Sequence, residues 1–156
     1  WQYNGSVLLS VVDSSYEPIT ESFAERIKEE IDPEESTGQG VGFAPIGHYV
    51  TITTPVKSEV KVQFHIDLDI NITTENIQGE CEEKVEEYFD SIRHEFAQDK
   101  ILGVYRARII DAILEIDGVL NVTNVFLNDE YDDVIYTDEG LLGKQYLPYL
   151  SEVIID

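Results

Sequence analysis

Residues 60–72 read Val60-Lys61-Val62-Gln63-Phe64-His65-Ile66-Asp67-Leu68-Asp69-Ile70-Asn71-Ile72, with an apolar side chain at every even position and a polar one at every odd position. Successive strand side chains point to opposite faces, so this period of two predicts a strand with one buried and one wet face. At ~3.3 Å per residue it runs for about 40 Å, so it either bends or outreaches its own sheet. An apolar sheet face needs a cover, and the next residues supply one. Ile77, Cys81, Val85, Phe89, Ile92 and Phe96 recur at steps of three or four, which predicts a helix of roughly six turns that Thr74 can cap. Leu102-Gly103 interrupts the pattern, and residues 104–116 predict a second helix with Ala107, Ile110, Ile113 and Leu114 on one face and Gly118 as its left-handed cap. Residues 119–127 then read as a strand, Asn128-Asp129-Glu130-Tyr131-Asp132-Asp133 as an acidic turn, and residues 134–136 as its hairpin return.

Before the long strand, residues 7–12 form a short β-branched run between turns, read as a strand. Thr20 is placed to cap a helix carrying Phe23, Ile27 and Ile31, which ends at Asp32-Pro33 because the residue before proline is pushed out of the helical region. Residues 33–47, PEESTGQGVGFAPIG, hold four glycines and two prolines and predict a long loop. Residues 49–54 resume a strand, closed by Pro55 in a hairpin-like junction, and the stretch 141–155 ends in a short edge strand at Val153-Ile154-Ile155. The whole is an α+β fold with mixed or antiparallel sheets in two small lobes. The first lobe spans 1–56, with 134–156 returning to it, and the second, 57–133, is a β-α-α-β unit with both helices on the apolar face.

A chain of 156 residues is one domain or two lobes sharing a core. Ten Lys and Arg against 32 Asp and Glu, a formal charge of -22, exclude nucleic acid and anionic membrane as direct partners, because both are bound by cations. No stretch approaches the ~20 apolar residues of a membrane span, and the chain reads as soluble. One cysteine makes no internal disulfide and has no zinc-ligand spacing around it. The start at Trp1 and the absence of methionine suggest a piece of a longer protein.

The candidate chemistry is weak at every position. His48, His65 and His94 have no second histidine or cysteine at metal-ligand spacing, and none has a nominated catalytic partner. Asp67 and Asp69 share one side of the long strand, but as a continuation of its polar face. The 128–133 turn has a calcium loop's composition without its spaced ligands or central glycine, so a solvated hairpin is the better reading. Ser6, Ser10 and Ser14 stand outside any nucleophile elbow, and the GxGxG at residues 38–42 follows a helix, not a strand, so it fails as a phosphate loop. Cys81 lies on an apolar stripe and reads as core. No catalytic, cofactor-binding or metal-binding residue is nominated, no cofactor is expected, and the chain is not read as an enzyme.

One combination is more specific. Gly5-Ser6-Val7 opens a strand, a helix follows Pro18, Ile31-Asp32-Pro33 ends it, and after the glycine-rich loop Ala44-Pro45-Ile46-Gly47 leads into Val50-Thr51-Ile52. With the alternating strand and the helix closing on Gly118-Val119, this resembles the C-terminal part of baseplate J-like proteins of contractile phage tails and phage-derived particles, over most of residues 5–127. The resemblance implies a structural, non-catalytic role in baseplate wedges. It also implies a place in the virion tail baseplate, assembled in the bacterial host cytoplasm, with other tail proteins and copies of the same chain as partners. The isolated fragment is then expected to be monomeric or weakly associated. Phe43, Ala44, Pro45, Ile46, Gly47 and Tyr49 are the candidate partner contacts, since exposed loop aromatics are enriched at interfaces. The bland alternative is that Phe43 and Ile46 close a small core. A calcium- or carbohydrate-binding accessory module is the rival function.

Overall fold

In the computed structural model the alternating stretch becomes β3 (Val56–Leu68), the middle strand of a three-stranded sheet. Residues 5–96, 101–136 and 145–156 are described. The elements before β3 are β1 (Ser6–Ser10), α1 (Glu21–Ile31), a single 3-10 turn (Glu34–Ser36) within the long loop, and β2 (Tyr49–Thr53). Those after it are α2 (Thr74–His94), β4 (Leu102–Val104), α3 (Arg106–Leu114), β5 (Val119–Leu127), β6 (Val134–Tyr136) and β7 (Tyr146–Ile155). The fold is α+β. The chain divides into a first compact unit that runs to Val56 and includes Gln145 and Tyr146, and a second that starts at Lys57 and includes Leu147–Asp156.

In the second unit β3 lies between β5 and β7. Val60, Val62, Phe64 and Ile66 are buried on one face, as the period of two requires. Their cover comes from Ile77, Cys81, Val85, Phe89 and Ile92 of α2 and Ile109 and Ile113 of α3, all buried. The strand ends at Leu68, so the apolar alternation outlasts it. Ile70 is exposed in the following turn, where Asp69 donates its backbone N–H to the Gly118 carbonyl at 2.9 Å. This turn also separates Asp69 from the strand face that it was expected to share with Asp67.

The antiparallel β3–β5 register slips between Gln63 and His65, where their partners Phe126 and Thr123 are three residues apart instead of two. The extra residue is a β-bulge, and Asn124 there takes a φ of 53°, in the left-handed region that asparagine tolerates. The bulge changes the phase of β5, which lets Val122 and Val125 both be buried despite their odd spacing. Gly118, with a φ of 89°, closes the turn after α3 in the left-handed conformation expected of it. The cap of α2 is Thr73, one residue earlier than expected. Its N–H and hydroxyl donate to Asn76 Oδ1 at 3.4 and 2.8 Å.

Three expectations are corrected here. Leu102-Gly103-Val104 is the strand β4, so Val104 does not open the helix, which starts at Arg106, and β6 pairs antiparallel with β4, not back on β5. The final strand is β7, ten residues long, paired with β3. Of the stretch 134–156, Gln145 and Tyr146 fall in the first unit, while β6 and Leu147–Asp156 fall in the second; residues 137–144 lie outside the described residues. Pro148 fits because β7 is an edge strand of its sheet.

In the first unit β1 and β2 pair in parallel, Ser6 opposite Tyr49 through Ser10 opposite Thr53. Parallel neighbours require a crossover, and α1 provides it. The junction at Pro55 is therefore no hairpin, since β2 and β3 are in different sheets.

Gly79 sits inside α2 with open space where a Cβ would stand. Glycine in a helix interior costs roughly 0.5–1 kcal/mol relative to alanine, so Gly79→Ala is expected to stabilise the chain by about that amount. A urea midpoint that is unchanged or lower refutes this.

Candidate functional site

The loop at residues 33–47 is organised by one side chain. Asp32 ends α1 and is only 2% exposed. Its carboxylate accepts from the Lys28 ammonium at 2.7 Å, the Gly38 N–H at 2.8 Å, the Val50 N–H at 2.9 Å and the Thr37 hydroxyl. A buried charge persists only when paired and hydrogen-bonded, and these donors do both. The Lys28 ammonium above all, then the Thr37 hydroxyl and the two backbone N–H groups, hold the carboxyl well below the usual carboxylate range.

Backbone bonds complete the knot. Phe43 and Ala44 donate to the Glu30 and Ile31 carbonyls at 3.2 and 2.7 Å, continuing past the end of α1, and Gly47 donates to Gly38 at 2.8 Å. Gly42 lies so close to the helix end that a Cβ there would stand 2.5 Å from the Ile31 carbonyl oxygen. The loop is thus fixed at both ends and at its waist, and what it presents outward is apolar. Phe43 is 84% exposed, Ile46 80%, Val41 68% and Tyr49 51%. The alternative that Phe43 and Ile46 close a core is overturned by these values. Of the six candidate contacts, Phe43, Pro45, Ile46, Gly47 and Tyr49 lie on the surface, while Ala44 is buried and anchors the turn.

The remaining candidates are dispersed or engaged. His65 Nδ1 is 2.7 Å from the Asp156 carbonyl oxygen and its Nε2 3.6 Å from Asp67, which also accepts from Asn121 at 3.1 Å. His94 is the last residue of α2 and His48 flanks the loop. The turn at Asn128 and Asp129 closes a hairpin between Leu127 and Glu130, and its polar groups have protein partners. Asn128 Oδ1 accepts the Lys61 N–H at 2.9 Å, Asp129 pairs with the Lys61 ammonium, and Asp133 accepts the Arg106 N–H at 2.9 Å. Among the described residues no group of three or more His, Cys, Asp or Glu is arranged to hold a metal ion. Burial, then the charges of Glu80 and Glu82, push the Cys81 thiol up to about 11, so it stays protonated and unreactive near neutrality.

Two features escape a reading by periodicity. Arg93, 5% exposed, donates to the Pro148 carbonyl at 3.1 Å and to Glu86 at 2.9 Å, pairs with Asp90, and stacks 4.6 Å from the Tyr149 ring centre, tying the end of α2 to β7. An open groove of about 630 Å³ runs between the same two elements, lined by Gln78, Gly79, Glu82, Glu83, Glu86 and residues 150–153. Its lining holds no histidine, cysteine or cation. Among the described residues no helix is long and apolar enough to cross a membrane.

No family model matches the chain. It is 28% identical over 138 residues, 88% of its length, to the phage-like element PBSX protein XkdT of Bacillus subtilis (strain 168). Over 155 residues, 99% of its length, it is 33% identical to the uncharacterized protein YqbT of the same strain. These matches cover 38% and 41% of the two proteins, so the chain spans about two fifths of the length of the curated relatives it matches.

Proposed function

We propose that this chain is a structural part of a phage or prophage tail baseplate, a wedge component with no reaction of its own. The observation that carries the reading is the similarity along 88% of the chain to a protein whose name assigns it to a phage-like element. The resemblance of Ile31-Asp32-Pro33 and Ala44-Pro45-Ile46-Gly47 to baseplate J-like proteins supports the finer assignment. Asp32 gives that resemblance a physical basis, since it is the residue on which the loop is built.

An assembly component needs surfaces that fit neighbours, and the described surface offers one. Phe43, Ile46 and Tyr49 project as contacts for other baseplate proteins, flanked by Pro45 and Gly47, with Ala44 holding the turn in place. The calcium- or carbohydrate-binding alternative has less support, because the acidic turn spends Asp129 and Asp133 on Lys61 and Arg106. The proposed location is the virion tail baseplate, after assembly in the host cytoplasm.

Particles purified from a host carrying the gene test this directly. Antibody raised against this chain is expected to label one end of the tail by electron microscopy. Intact tails that lack the chain by both labelling and mass spectrometry would rule the proposal out.

A further inference from the structure

We infer that the loop projection is a plug for a concave apolar site rimmed by Lys or Arg on a polypeptide other than this chain. The inference rests on the baseplate reading for its setting, and on exposure and charge for its content. Four large apolar side chains exposed within one short stretch of chain, Val41, Phe43, Ile46 and Tyr49, mark an interaction site. The backbone beneath them is already ordered by Asp32 and by the bonds to Glu30, Ile31 and Gly38, so little entropy is lost when the plug docks.

The charge around the plug selects the partner. From Lys28 to Lys57 the chain contains no other lysine or arginine, and Lys28 is committed to Asp32 and Thr37. Glu29, Glu30, Glu34 and Glu35 are all exposed, and Phe43 is bonded directly to the Glu30 backbone. The plug is therefore apolar at its tip and anionic at its base. A socket with cations at its rim complements both parts, whereas an acidic or neutral rim leaves the glutamates facing like charge or losing water.

A second copy of this chain is a poor socket. Each copy carries a formal charge of -22, and the groove between α2 and β7 is walled by Glu82, Glu83, Glu86 and Glu152. Like-charge juxtaposition at an interface suppresses pairing.

Photo-crosslinking in intact particles tests the inference. With Phe43 replaced by photoreactive benzoylphenylalanine, irradiation is expected to join this chain to one other particle protein, at an apolar segment with Lys or Arg beside it. The double substitution Glu34→Lys, Glu35→Lys, at exposed positions where folding is checked by circular dichroism, should lower that yield roughly tenfold at physiological salt. Crosslinks to a second copy, crosslinks to a segment without cations, an undiminished yield from the double variant, or no crosslink in particles that contain the chain would each overturn the inference and leave the baseplate reading standing. Tails without the chain overturn both.

Discussion

Replacing Phe64 by alanine is expected to destabilise the second unit by about 3–5 kcal/mol. Phe64 is fully buried at the middle of β3, and β3 is the middle strand of its sheet, with α2 and α3 supplying the rest of the same core. Truncation loses the transfer free energy of the ring and leaves a cavity that strands on both sides and helices above cannot readily close. The neighbouring His65→Ala is the internal control, since its side chain is on the wet face, and is expected to change stability by less than about 1 kcal/mol. Urea unfolding followed by the circular dichroism of the backbone gives both numbers. A Phe64→Ala cost below about 1 kcal/mol would mean that the helices do not pack on this face.

The second large effect belongs to Asp32. Asp32→Asn keeps the size of the side chain but removes the charge that offsets Lys28, and it puts an amide in place of a carboxylate oxygen that faces the Thr37, Gly38 or Val50 donors. At least one donor is then left without an acceptor inside the unit, the Gly38 N–H if the amide takes the Oδ1 position and the Val50 N–H if it takes the Oδ2 position. The first unit is expected to lose more stability than from any exposed carboxylate in it, Glu34→Gln serving as comparison.

The wild-type chain should show the same dependence through pH. Asp32 has its folded pKa below the ordinary 3.8, so its contribution is complete above that value and is lost as pH falls from there toward the folded value. Thermal unfolding of wild type and Asp32→Asn from pH 5 down to pH 2 should therefore converge. Parallel curves over that range would refute the linkage.

The parts of the fold legible in the sequence are those in which a side-chain period is long enough to average out local accident. Thirteen alternating residues and a stripe of five or six apolar positions on α2 leave little choice of element. The acidic 128–133 stretch was legible as a turn from its composition, but the hairpin expected around it was not there, since residues 134–136 pair with β4 and only Leu127 and Glu130 bridge the turn itself. What escaped depends on partners distant in the chain. Leu102-Gly103-Val104 is a strand only because residues 134–136 lie against it, and three residues carry no period of their own. The bulge at Asn124 hides the phase of β5, so Val122 and Val125 look mismatched until the extra residue is seen.

The candidate site divides in the same way. The loop was visible from its glycines and prolines, and Phe43, Ile46 and Tyr49 were identifiable as its apolar content. Their exposure was not, because an apolar residue in a loop closes a core as readily as it leaves one. Asp32 looked like a helix stop before Pro33. A signal was present, however, in an acidic residue between Ile31 and Pro33 that precedes a long glycine-rich loop, two of whose flanking backbone N–H groups, those of Gly38 and Val50, it accepts. Arg93 had no comparable signal, since its partners Pro148 and Tyr149 are more than fifty residues away.

The middle position of β3 also sets an order of events during synthesis. Its two neighbours, β5 and β7, never pair with each other, and both are translated after it, the later one ending at Ile155. A nascent chain leaving the ribosome thus holds β3 with one flank open until some ninety further residues have emerged, an interval in which a bound chaperone would have the most to protect.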